Sequence, residues 1–147
     1  MSWKNAYLES RILSASPLEL INILYEHAIL EVQEARLRLV EGDVAGRSRS
    51  ISKTIGIISE LESSLDYESG GEIAANLARL YQYMRDRLTA GNLQRSDSAL
   101  AEVGSLLESL GDAWRTVSAV AEVRVVPPAA YSTHFEGAHS AMAGWSV

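Results

Sequence analysis

The chain has 147 residues, 13 Lys+Arg against 19 Asp+Glu for a net charge of −6, 47% hydrophobic residues and no cysteine. One domain with a real core fits that length, while disulfide scaffolds, thiolate metal sites and cysteine nucleophiles are excluded outright. The acidic balance argues against a nucleic-acid partner, whose affinity comes mainly from Lys and Arg. No apolar run approaches the ~20 residues of a membrane span, and Met1-Ser2-Trp3-Lys4-Asn5 lacks a signal peptide's apolar stretch. A soluble cytoplasmic protein without membrane insertion is therefore expected.

Residues 1–15 read as an N-terminal arm with no helix of its own, 16–123 as the folded body and 124–147 as a flexible tail of small residues. Between Pro17 and Pro127-Pro128 there is no proline, which suits long helices. The first helix opens at Ser16-Pro17, with Ser16 as N-cap, Pro17 in the first helical position and Glu19 completing a capping box. Leu18, Ile21, Tyr25, Ala28, Val32, Ala35 and Leu39 follow at alternating spacings of three and four, and Glu41-Gly42-Asp43 ends the run.

The second helix is predicted over 43–66, with Val44, Ile51, Ile55, Ile58 and Leu65 facing inward. The third is predicted over 71–90, opening after Gly70-Gly71, carrying Ile73, Leu77, Leu80, Met84 and Leu88, and stopping at Gly91-Asn92. The fourth, over 96–122, repeats Leu100, Val103, Leu107, Leu110, Trp114, Val117 and Ala121. Short loops make sequence neighbours antiparallel, so the expected fold is all-α, an up-down four-helix bundle. Gly46, Gly56, Gly104 and Gly111 fall inside helices and are expected at close contacts or thin spots.

Catalytic chemistry has no foothold in this pattern. A di-iron centre needs Glu-x-x-His pairs, but Leu24 stands three positions before His27, and His134 and His139 lie in the tail. His27, on the polar side of the first helix, would suit a phosphotransfer bundle, but Ala28-Ile29-Leu30-Glu31 follows it rather than a basic residue and a glycine. A solvated surface histidine is the plainer account. No phosphate loop, nucleophile elbow or paired inward carboxylates occur, so no cofactor and no metal are expected. Arg36, Arg38, Arg47, Arg49 and Lys53 gather among Glu34, Glu41 and Asp43, as in a solvated, partly paired bundle end.

Apolar residues exceed what the bundle needs. Beside Ile51, Ile55 and Ile58, the residues Thr54, Ile57 and Leu61 widen the second helix's stripe to roughly 160° at ~100° per residue. Ser50, Ser52, Ser59, Ser63 and Ser64 flank it with small side chains that would leave a shallow groove. Ile23, Leu30 and Leu37 recur every seven residues opposite the first helix's core stripe, and Tyr81 and Tyr83 flank the third helix's core line, with rings buried and hydroxyls wet. Three covers are open: the arm or tail, a second copy of the chain, or a partner's apolar segment.

The chain resembles the flagellar secretion chaperones of the FliS family over about 4–115. The likeness runs through Asn5-Ala6-Tyr7-Leu8-Glu9, Ala15-Ser16-Pro17-Leu18-Glu19-Leu20 and Leu24-Tyr25. It continues in Leu65-Asp66, Gly71-Glu72-Ile73-Ala74-Ala75-Asn76-Leu77, the run Leu80 to Leu88, and Trp114. The resemblance implies an antiparallel helical bundle that binds the disordered C-terminal segment of flagellin in the cytoplasm. It also implies delivery to a component of the flagellar type III export gate. On that likeness Tyr7 belongs to an arm that lies over the apolar groove and gives way to flagellin. The expected partner-binding residues are Asn5, Tyr7, Leu8, Ile51, Thr54, Ile57, Ile58, Leu61, Asn76, Tyr81 and Tyr83. The alternative is a self-associating bundle whose extra stripes form a homodimer interface.

Overall fold

The computed structural model describes the backbone of residues 3–123 and the side chains of residues 6–117. The expected tail, with its two histidines and Tyr131, Phe135, Met142 and Trp145, lies outside the described residues, as does the side chain of Asn5. The described residues form five helices: α1 (Trp3–Ser14), α2 (Pro17–Glu41), α3 (Val44–Ser63), α4 (Tyr67–Gln94) and α5 (Asp97–Val123). The arm is therefore helical, contrary to expectation. Ala6-Tyr7-Leu8-Glu9 contains no helix breaker, and Ser14 closes the segment by donating its hydroxyl to the Ser10 carbonyl.

Local chemistry sets the boundaries. Ser16 Oγ accepts the Glu19 N–H at 3.2 Å to start α2, with Pro17 in the first turn. Gly42, at φ 73°, ends α2 in the left-handed conformation a residue with a Cβ adopts only with strain. Asp43 then caps α3 by accepting the Gly46 N–H at 2.9 Å, and a Cβ on Gly46 would collide with that carboxylate. Asp66 Oδ1 accepts the N–H groups of Glu68 and Ser69, beginning one turn before Gly71 (φ 50°, ψ −120°) breaks the helical path. The predicted start after Gly70-Gly71 thus marks an internal break in α4.

The predicted stop at Gly91-Asn92 falls inside α4. Gly91 is there for space rather than for its dihedral freedom: a Cβ would lie 3.0 Å from Leu100 Cδ2 and 3.2 Å from Ala99 Cβ. Its bareness lets α5 turn back closely. Arg95, at φ 53°, ends the helix instead. Gly104 and Gly111 similarly meet Val32 and Tyr25 of α2, whereas Gly56 faces open space.

α2 packs on α3 and α5, and α4 packs on α3 and α5, so the four long helices close a ring. Direction follows from cross-helix pairs. Along α2, Leu18 then Arg36 meet Trp114 then Asp97 of α5; along α3, Arg47 then Glu62 meet Asn92 then Arg85 of α4. Within the ring lie Ile21, Tyr25, Ala28, Val32 and Ala35 of α2 with Met84, Leu88, Leu100, Val103 and Leu107. The first helix's predicted core stripe is this interior face. The other three stripes are corrected, that of α5 at Val117, which is exposed. Val44 and Ile73 are exposed, while Thr54 and Leu61 of α3 and Ala74 and Tyr81 of α4 take interior places.

Across the ring, the hydroxyls of Tyr25 and Tyr81 meet at 2.7 Å in the buried core. Burial first of all pushes both hydroxyls well above the ordinary tyrosine range, toward the neutral form. The expectation that Tyr81 keeps its hydroxyl wet is thus corrected: α4 turns it to the centre, where another tyrosine supplies the polar partner.

Candidate partner-binding surfaces

The residues expected to bind a partner divide into two sets. Ile51, Thr54, Ile58, Leu61 and Tyr81 are buried, Leu61 with 0% of its surface exposed. Thr54 turns its hydroxyl back to the Ser50 carbonyl at 2.8 Å, which removes its polarity and lets it serve as a core residue. The widened stripe of α3 is therefore mostly core width. A helix pressed between two neighbours needs a broad apolar face, and α3 touches both α2 and α4.

Ile57, Asn76, Tyr83, Tyr7 and Leu8 remain at least partly accessible. They do not converge. Ile57 lies one turn beyond Lys53, which reaches Glu31 of α2 at 4.0 Å, so it belongs to the α2–α3 seam. Tyr83 donates its hydroxyl to Glu102 of α5 at 2.6 Å, and Arg87 meets the same carboxylate. Those hydrogen bonds, the Tyr83 one first, hold the Glu102 carboxyl below its usual range. Asn76 is seven residues from Tyr83, on the same side of α4 facing α5.

A third seam holds a groove. Ser59, Glu62, Ser63, Leu65, Tyr67 and Arg85 line an open depression of about 500 Å³ between α3 and α4. The small side chains of Ser59 and Ser63 leave it, as their pattern suggested. Arg85 crosses it to Glu62 at 2.5 Å, and Gln82 steadies the guanidinium. Tyr67, half exposed at the α4 start, was missed by sequence reasoning because it precedes the Gly71 break and follows no stripe.

The arm helix touches the bundle lightly. Arg11 meets Glu26 of α2 at 3.4 Å, one turn from the buried Ile23. Tyr7 is 61% exposed, and Ile12 and Leu13 are also open. Tyr7 therefore does not cover a groove in this arrangement. Further along α2 on the row begun by Ile23, Leu30 and Leu37 stay exposed. His27 pairs with Glu31 at 3.7 Å on the helix surface.

Among the described residues no helix is long and apolar enough to cross a membrane, and no cluster of His, Asp or Glu could hold a metal ion.

Comparison with known proteins adds a source for these features. The model of the family described as flagellar protein FliS matches residues 2–121. The chain is 44% identical over 112 residues to the flagellar secretion chaperone FliS of Salmonella typhimurium, covering 76% of this chain and 83% of that protein. It is 38% identical over 109 residues to the FliS chaperone of Escherichia coli, covering 74% and 80%. With the FliS chaperone of Bacillus subtilis the identity is 28% over 110 residues, covering 75% and 81%. An all-helical bundle whose sequence matches that family along most of its length belongs to the flagellar protein FliS family.

Proposed function

We propose that this chain is a non-enzymatic export chaperone, which binds the disordered C-terminal segment of flagellin in the cytoplasm. It thereby prevents premature polymerisation and aids delivery to the flagellar type III export gate. The body is taken as an antiparallel up-down four-helix bundle over 16–123, with 1–15 as an arm and 124–147 as a tail. The observation that carries this assignment is the distribution of accessible apolar and amphipathic residues over three seams: Ile57, the Tyr67 groove, and Asn76 with Tyr83. A disordered client gains affinity from extended contact, because ordering it costs free energy all along its length. Several shallow stations suit such a client better than one deep pocket would. In this reading the arm, with Asn5, Tyr7 and Leu8, leaves the exposed position it holds here beside Glu26, moves onto a seam as a displaceable cover and gives way to the client.

Titration calorimetry with a peptide of the same organism's flagellin C-terminus tests this. One-to-one binding, weakened by Ile57→Asp and by Tyr83→Ala while helicity is retained, is expected; absence of binding to the unaltered chain overturns it. A second reading, a homodimer, draws on the exposed Leu30 and Leu37 of α2. Sedimentation that depends on concentration, is abolished by Leu37→Glu and is indifferent to the flagellin peptide would favour it.

A further inference from the structure

The end of the bundle where α2 passes to α3 and α4 to α5 carries an unbalanced set of cations. Its arginines are Arg36, Arg38, Arg47, Arg49 and Arg95; its carboxylates are Glu34, Glu41, Asp43 and Asp97. Arg36 takes Asp97 through two hydrogen bonds of 2.8 and 3.0 Å. Arg38 gathers Glu34, Glu41 and Asp43. Every carboxylate at this end is thereby engaged. Arg47, Arg49 and Arg95 have no carboxylate partner among the described residues.

Arg47 is the informative one. It is 5% exposed, and a guanidinium taken out of water ordinarily has an acid beside it. Here its acceptors are the Asn92 side-chain oxygen at 2.8 Å and the Asn92 carbonyl at 3.3 Å, both neutral. Asn92 uses Nε–H and one Nη2–H, leaving further N–H donors of the fork unclaimed by protein. Among the described residues the one fully buried side-chain polar atom without a partner is Asn22 Oδ1, so Arg47 Nη1, which has no acceptor, is not completely sealed. Arg95, three residues past Asn92, holds a left-handed backbone at φ 53° that glycine or asparagine adopts with less strain.

The same end carries bare apolar side chains. Val40 closes α2, Val44 opens α3, and Leu93 stands 80% exposed in the last turn of α4. Charge and apolar area together specify the occupant. A nucleic acid would want many cations and no apolar contact, and this chain carries a net charge of −6. A carboxylate beside apolar side chains matches both features, since an arginine fork binds carboxylate in two-point fashion.

We propose that this end of the bundle is a second docking surface, for a protein segment that carries Asp or Glu beside apolar side chains. Arg47, Arg49 and Arg95 receive its carboxylates, while Val40, Val44 and Leu93 receive its apolar groups. It lies apart from the three seams assigned to the flagellin client and does not depend on that assignment.

The test uses the full chain and a synthetic N-acetylated helical peptide of alternating Glu and Leu turns, with a control in which every Glu is Gln. Calorimetry at low and at physiological salt is expected to show the Glu peptide binding, salt-sensitive, and the Gln peptide at least tenfold weaker. The double substitution Arg49→Glu with Arg95→Glu alters exposed side chains, so helicity and melting should hold while binding falls about tenfold. Leu93→Ser should also weaken binding without changing its salt dependence. Equal binding of both peptides, or no effect of the double substitution, overturns the proposal. So does full displacement of the Glu peptide by millimolar inorganic phosphate with Leu93→Ser inert, which would mark a free-anion site. Finally, flagellin-peptide binding should be unchanged in the double variant; parallel loss would make this end part of the client path and overturn its separateness.

Discussion

The hydroxyl pair at the centre of the bundle supports a quantitative test. Tyr25 of α2 and Tyr81 of α4 meet at 2.7 Å, with 1% and 0% of their surfaces exposed. α2 and α4 stand opposite each other across the ring, so this bond spans the centre of a largely apolar core. Tyr81→Phe removes one hydroxyl and leaves the other with a poorer set of partners in a dry site. A buried polar group that loses a hydrogen-bond partner costs about 1–3 kcal/mol. Each single Tyr→Phe variant should therefore lose about 1–2 kcal/mol, a drop in melting midpoint of roughly 4–8 °C. Tyr25→Phe with Tyr81→Phe together replaces both polar groups by apolar ones of nearly the same shape. Its cost should fall short of the sum of the two singles by about 1 kcal/mol. Urea unfolding followed by circular dichroism on the four proteins measures the cycle. Strict additivity would refute the inference that the two hydroxyls stabilise each other, whatever the single values.

Alkaline pH gives a related result. Both hydroxyls ionise far above the ordinary value near 10 in the fold, chiefly through burial, while the unfolded chain ionises normally. The contribution of the pair is thus complete below about pH 10 and lost as pH rises beyond it, since the unfolded state releases protons the native state keeps. Stability measured from pH 8 to 11 should fall more steeply in the parent than in the double Phe variant. Leu61→Ala should cost about 2–5 kcal/mol by opening a cavity, whereas the half-buried Ile57→Ala should cost less than Leu61→Ala and act mainly on client binding. Asp43→Ala should cost about 1 kcal/mol by leaving the first turn of α3 uncapped, read as a lower urea midpoint with unchanged slope.

The helices were legible in the sequence where the signal is local. Ser16-Pro17 with Glu19, the glycine after Glu41, and the three-four spacing from Leu18 to Leu39 each depend on atoms within one turn of each other. Placement of the core was less legible where two elements compete for one helix. α3 packs against two neighbours, so Thr54 and Leu61, which look like surplus beside Ile51 and Ile58, are needed inside. Periodicity gives the width of a stripe but not how many helices share it. Tyr81 and Tyr83 show the same limit. They stand two residues apart on opposite sides of the same core line, and only the position of Tyr25, 56 residues away, decides which becomes interior. Gly91 misled because glycine serves both as a stop and as a close contact, and here contact with Leu100 and Ala99 prevails. The helicity of the arm was missed because the residues before the strong Ser16-Pro17 start signal carry no cap of comparable strength.

The relation between the rigid centre and the loosely attached arm bears on how the proposed chaperone could release a client. A bundle that binds a long segment by several shallow contacts must keep its own seams closed, or client residues would compete for the core. The fully buried rows of α2, α3 and α4, pinned by the Tyr25–Tyr81 bond, resist such intrusion. Release, by contrast, requires that no single contact dominate. Arg11 meets Glu26 at 3.4 Å with both side chains a third or more exposed, a pairing worth at most about 1 kcal/mol. An arm that leaves this position to cover a client station lowers the client's apparent affinity by the fraction of time the covered state is populated. Because the Arg11–Glu26 pair holds the arm where Tyr7 covers no groove, strengthening it should raise the apparent client affinity while leaving the bundle's own unfolding unchanged.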